Sequence, residues 1–212
     1  VDGTAAAEEE PIPGHSSRRM FAPDGRRWVV SHPDGKTALH GYPNLERIAG
    51  PNELGRPVGF GRREGESAFF TLRTKRDNDS ELARWASTDL RALGATPLAG
   101  AEMPLLSPVL SADGGRFAAG LGRGEIGLWD LSSPQHALQR LQLPVPQAST
   151  TLALEFSPDG RRLAASFMDS TSVYLWEIAG TPGYRELTGH KGFVTHLLFT
   201  ADGQTLASAD GD

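Results

Sequence analysis

The chain has 212 residues, room for one large all-β domain or two small ones. Its formal charge of −5 argues against nucleic-acid binding, because phosphate contacts need a concentrated positive field. Cysteine is absent, which excludes a disulfide framework and any thiolate metal site. No run approaches the roughly 18 apolar residues that a membrane helix needs. Among the basic residues only Lys36, Lys75 and Lys191 are lysines, a bias expected of a GC-rich bacterial genome.

Residues 1–17, rich in Ala, Glu and Pro, read as a disordered linker. They have neither a basic start nor an apolar stretch, so they do not form a signal peptide. The lack of an initiator Met suggests that the chain starts inside a longer protein.

From residue 18 one phrase recurs. Phe21-Ala-Pro-Asp24-Gly25 is followed by Leu110-Ser-Ala-Asp113-Gly114, Phe156-Ser-Pro-Asp159-Gly160 and Phe199-Thr-Ala-Asp202-Gly203. Phe60 to Thr71 holds a degenerate copy, so the interval is about 45 residues throughout. Ser157-Pro158-Asp159-Gly160 has the residue order of a tight turn, with apolar segments on both sides. Each copy is therefore a predicted hairpin.

A second phrase keeps the same interval. It reads Lys36-Thr37-Ala-Leu39-His40, then Glu81-Leu82-Ala-Arg84-Trp85, Glu125-Ile126-Gly-Leu128-Trp129-Asp130 and Ser172-Val173-Tyr-Leu175-Trp176. A third sits between units: Ile48-Ala-Gly50-Pro51, Leu98-Ala-Gly100-Ala101 and Leu187-Thr-Gly189-His190. Units are expected at residues 18–50, 56–100, 105–143 and 150–189, with a partial fifth over 190–212.

Gly189-His190, the Ser-Pro-Asp-Gly hairpin and Leu128-Trp129-Asp130 together resemble the WD40 repeat, from about Arg18 to Asp212. That resemblance implies four-stranded blades packed radially around a channel, here a segment of about four and a half blades. A single four-stranded sheet cannot bury both its faces, so stability would come from stacking. The chain is expected to be cut at both ends, with missing blades beyond Asp212 and apolar faces left open. The resemblance also implies a structural hydrogen-bond network joining the His of Gly-His, a turn Asp and the Trp of the same blade. Its positions here are His190 with Asp212, and Asp79 ahead of Trp85. Trp85, Trp129 and Trp176 are expected as inter-blade core, with Asp130 as a structural position beside them.

Other motifs fail on their context. Asp77-Asn-Asp79-Ser-Glu81 begins like a calcium loop, but Leu82 and Thr88 stand where Gly and Glu are required. Gly35-Lys36-Thr37 lacks both the upstream glycine and the following helix of a phosphate loop. No Gly-x-Ser-x-Gly elbow is present, and the histidines show no helical pairing for a metal. No catalytic residue, cofactor or metal is expected.

The functional expectation is a non-catalytic, cytoplasmic protein-interaction scaffold within a larger bacterial signalling or regulatory protein. Partners would be proteins, with no nucleic acid and no membrane insertion in this segment. Contact loops are expected at Arg73 to Glu81, Pro134 to Arg140 and Thr181 to Arg185. The alternative is a propeller that gates a multidomain hydrolase. Export to the periplasm is a further one.

Overall fold

The computed structural model describes residues 18–211 except 32–35, 45, 64, 75–78, 102–103, 134, 136–137, 144–148 and 179–182. The expected linker over 1–17 and Asp212 lie outside the described residues.

Eighteen strands and no helix occur among the described residues. The first sheet is a meander of β1 (Arg18–Phe21), β2 (Arg27–Ser31), β3 (Lys36–Gly41) and β4 (Arg47–Glu53). The second contains β5 (Arg56–Arg63), β6 (Glu66–Thr74), β7 (Ser80–Ala86) and β8 (Ala92–Pro97). The third is β9 (Leu106–Leu110), β10 (Arg116–Gly122), β11 (Glu125–Asp130) and β12 (Leu138–Gln142). The fourth is β13 (Thr151–Phe156), β14 (Arg162–Phe167), β15 (Val173–Glu177) and β16 (Tyr184–Leu187). A fifth has only β17 (Val194–Phe199) and β18 (Leu206–Asp210). All pairings are antiparallel, so the expected four and a half four-stranded units are present.

The first strands of successive sheets lie beside one another: β1 by β5, β5 by β9, β9 by β13 and β13 by β17. The sheets thus share an inner edge and fan outward, as propeller blades do.

The middle strands read as near-continuous apolar runs because both of their faces are covered. In β6 the side chains alternate between neighbours. Phe69 and Trp85 pack with Val29 and Leu39 of the first sheet. Phe70, Leu72 and Leu82 pack with Leu105, Phe117 and Trp129 of the third. The third and fourth sheets meet through Ile126, Leu128, Leu163 and Trp176, and the fourth and fifth through Ala164, Val173, Val194 and Phe199. Each large buried side chain contributes about 2–3 kcal/mol, so the junctions, not the isolated sheets, stabilise the fold.

Candidate interaction surface

The Asp-Gly phrases form one turn, four times over. Gly25, Gly114, Gly160 and Gly203 have φ of 65°, 68°, 65° and 68°, a left-handed conformation that favours glycine. Each glycine N–H donates three residues back, to Ala22, Ser111, Ser157 and Thr200 carbonyls at 2.8–2.9 Å. The aspartates close the turn from the side. Asp24, Asp113, Asp159 and Asp202 accept from the backbone N–H two residues on, at 2.9–3.0 Å. Ser111, Ser157 and Thr200 add hydroxyl donors to the last three.

These bonds favour the charged carboxylate. Arg27 holds Asp24 below its ordinary range, Ser157 does so for Asp159, and Thr200 for Asp202. At Asp113, desolvation opposes the change, but the Ser111 and Gly115 donors prevail and the value is lowered. Asp130 follows the same chemistry at the end of β11. Ser132 donates to it through both hydroxyl and backbone N–H and lowers its pKa.

Sequence reasoning missed the role of the arginines that follow these turns. Arg116 donates Nη1 to the Gly160 carbonyl of the next sheet, and Arg162 donates Nη2 to the Gly203 carbonyl of the one after. Arg27 reaches Ser87 of the second sheet at 2.8 Å, and Arg63 reaches Leu131 of the third at 2.7 Å. Every junction therefore carries a guanidinium strap as well as an apolar seam. The signal was visible as Arg three residues after Asp in three of the four Asp-Gly copies, with Thr205 in the fourth. Composition alone disguised it as genomic bias.

The three tryptophans occupy equivalent places but satisfy their indoles differently. Trp129 is fully buried and donates to the Ala99 carbonyl at 3.1 Å. Trp85 donates to Thr71 Oγ1 at 2.9 Å, and that hydroxyl donates to the Leu54 carbonyl. Trp176 packs against Tyr174 and Tyr184. Asp79 stands exposed ahead of β7, away from the Trp85 indole bond.

His190 is held from both ring nitrogens. Its Nδ1 lies 3.0 Å from Asp210 Oδ2, and its Nε2 is 2.7 Å from Ser208 Oγ. The expected partner Asp212 is outside the described residues, and Asp210 at the end of β18 takes the described contact. The His190 bond lowers the Asp210 pKa, helped by the Gly192 N–H. The two bonds fix the orientation of the ring and tie the segment at His190 to β18.

The contact loops are shorter than expected. Arg73 and Thr74 belong to β6 and pair with Glu81 and Ser80 of β7, with an Arg73–Glu81 contact of 3.6 Å. Leu138 to Arg140 lie in β12, and Tyr184 and Arg185 in β16. Hydrophobic periodicity was too weak in those polar outer strands to mark them. The tips at 75–78, 134, 136–137 and 181–182 lie outside the described residues. Lys36 and Thr37 of the rejected phosphate-loop motif lie within β3.

Among the described residues, two sheets present exposed apolar side chains. On the first sheet Phe21 stacks on Trp28 at 6.2 Å, and Tyr42 meets the Phe21 edge at 6.2 Å. Phe21 is 61% exposed and Tyr42 55%. On the fifth, Leu198 is 64% exposed. One titratable group stands apart: burial pushes Glu155 on β13 up to about 7. Among the described residues no three His, Asp or Glu side chains form a metal-binding group, and no helix is long and apolar enough to cross a membrane.

Residues 183–212 match the WD40 family, described as "WD domain, G-beta repeat". The Protein LST8 homolog of Drosophila melanogaster is 26% identical over 119 residues, covering 52% of this chain and 36% of that protein. The Protein LST8 homolog of Drosophila pseudoobscura pseudoobscura is 23% identical over 120 residues with the same coverage. The chain thus spans about a third of the length of these curated relatives.

Proposed function

We propose that this chain is a non-catalytic protein-binding scaffold built of WD40-type repeats. In this reading it forms part of a larger bacterial signalling or regulatory protein and acts in the cytoplasm.

One observation carries the scaffold reading: the stacked sheets repeat their packing residues and vary their outer surface. Phe69, Phe117 and Leu163 fill one buried position in successive sheets, each fully buried. The outer strands β8, β12 and β16 share no such residue and are largely exposed. A rigid frame carrying variable, solvent-facing elements suits recognition of another protein.

Affinity capture with the full chain as bait tests the proposal. Specific proteins retained above a denatured-bait control are the expected result. Nothing retained, together with turnover of an ester or peptide by the same preparation, would overturn it.

A further inference from the structure

We propose that the junction between the fourth and fifth sheets is a pH-sensitive hinge, closed while Glu155 on β13 is protonated and loosened once it is ionised.

The strand register places Glu155 in this seam. Side chains alternate along β13, and Leu154 and Phe156 face the third sheet, with Ile126 and Leu128. Glu155 therefore points the other way, beside its cross-strand partner Ala164. Ala164 packs with Val194 and Phe199 of the fifth sheet. The equivalent place is taken by Met20 opposite Val29 in the first sheet and by Val109 opposite Ala118 in the third. Both pack into the seam with the following sheet, and Gly59 takes the place in the second. At the fourth sheet a carboxyl thus stands where Met20 and Val109 offer hydrocarbon.

Among the described residues nothing neutralises that carboxyl. No hydrogen bond or ion pair reaches it, and burial raises its pKa to about 7. The charged groups on the strands around it are engaged elsewhere. Arg162 of β14 donates to the Gly203 carbonyl and lies over the Phe199 ring, and Arg116 of β10 donates to the Gly160 carbonyl. His196 of β17 is exposed and meets the Thr195 hydroxyl, while Asp210 of β18 faces His190. β9 carries no ionisable side chain. The seam therefore accommodates the neutral acid and penalises the carboxylate.

The same seam holds β17 and β18 in place. Its other ties are the Ser166 hydroxyl on the Val194 carbonyl at 2.7 Å and the Arg162 strap. In stacked sheets each interface adds its own share of stability, so one junction can open before the rest. Opening returns Glu155 to water and towards its ordinary value of 4.5. The closed junction keeps a proton that the open one releases between pH 4.5 and about 7. Docking is therefore tightest in acid and weakens as pH climbs through that window. Opening uncovers Val173, Val194 and Phe199.

The test is amide hydrogen exchange on the full chain, with the intrinsic pH dependence of exchange corrected for. From about pH 5.5 to about pH 7 the opening constant of β17 and β18 should rise on the order of 10-fold in the wild type. Glu155→Gln should flatten that rise. So should Glu155→Val, which installs the residue found at the equivalent place in the third sheet and remains informative if Glu155→Gln folds poorly. Both variants retain His190, His196, Asp202 and Asp210, so any slope from those groups persists in them and can be subtracted. An equal rise in the variants, or a flat opening constant in the wild type, would overturn the hinge. So would β17 and β18 amides that exchange no faster than those of β14 at every pH.

Discussion

Arg116 leaves its own sheet and donates to the Gly160 carbonyl, the glycine that turns the first hairpin of the next sheet. Arg162 repeats the relationship one junction later, with Gly203. A residue fixed by one hairpin thereby holds the following hairpin in register.

Replacing Arg116 with Met should cost about 1–2 kcal/mol, the worth of a charge-assisted hydrogen bond whose acceptor can turn to water. Arg162→Met should cost a similar amount. Both act through the hairpin that holds Gly160 and Arg162, so the double variant should depart from their sum. Urea denaturation measures all three, and wild-type midpoints throughout would contradict the strap.

Gly127 is pinned by its neighbour. A Cβ there would lie 2.5 Å from Trp129 Cη2 and 2.7 Å from Cζ3. Gly127→Ala should destabilise by about 1–3 kcal/mol through overpacking. Gly25→Ala has open space around it and pays only for its φ of 65°, about 1 kcal/mol. Thermal unfolding of the pair should rank Gly127→Ala as the more damaging change.

Stability should respond to pH in two opposite ways. The folded-state pKa values of Asp24, Asp113, Asp159 and Asp202 are lowered from 3.8. Their contribution is complete above that value and is lost as pH falls through the lower, folded one. Glu155 is raised from 4.5 to about 7. The folded protein keeps a proton there that the unfolded chain releases, so stability falls as pH climbs from about 4.5 to 7. Glu155→Gln should remove that second slope and gain on the order of 1 kcal/mol at neutral pH, discounted for partial solvent screening. A pH–stability profile unchanged by Glu155→Gln would contradict the assignment.

The sheet organisation was legible because two phrases carry backbone meaning at a shared interval. Asp159-Gly160 dictates a left-handed turn, and Leu128-Trp129 dictates a strand with both faces buried. What escaped the sequence has backbone partners or weak periodicity. Arg116 and Arg162 bond to carbonyl oxygens, which every residue possesses, so no letter marks the acceptor. The outer strands β12 and β16 are polar and exposed, which made Leu138 to Arg140 and Tyr184 to Arg185 read as loop. Arg84 was visible as an imperfect match to the repeat. Asp210 lies 20 residues after His190 in sequence, and the pairing of β17 with β18 brings it to the Nδ1.

Hydrogen exchange at the Trp129 indole N–H tests most directly whether these sheets form one stacked body. That side chain is fully buried, and its donor meets the Ala99 carbonyl in the link between the second and third sheets. The N–H should exchange only through global unfolding, with the same free energy that denaturant titration gives. Exchange at the rate of a solvent-exposed indole, in a chain that retains its β-sheet signal, would mean that the sheets do not pack face to face.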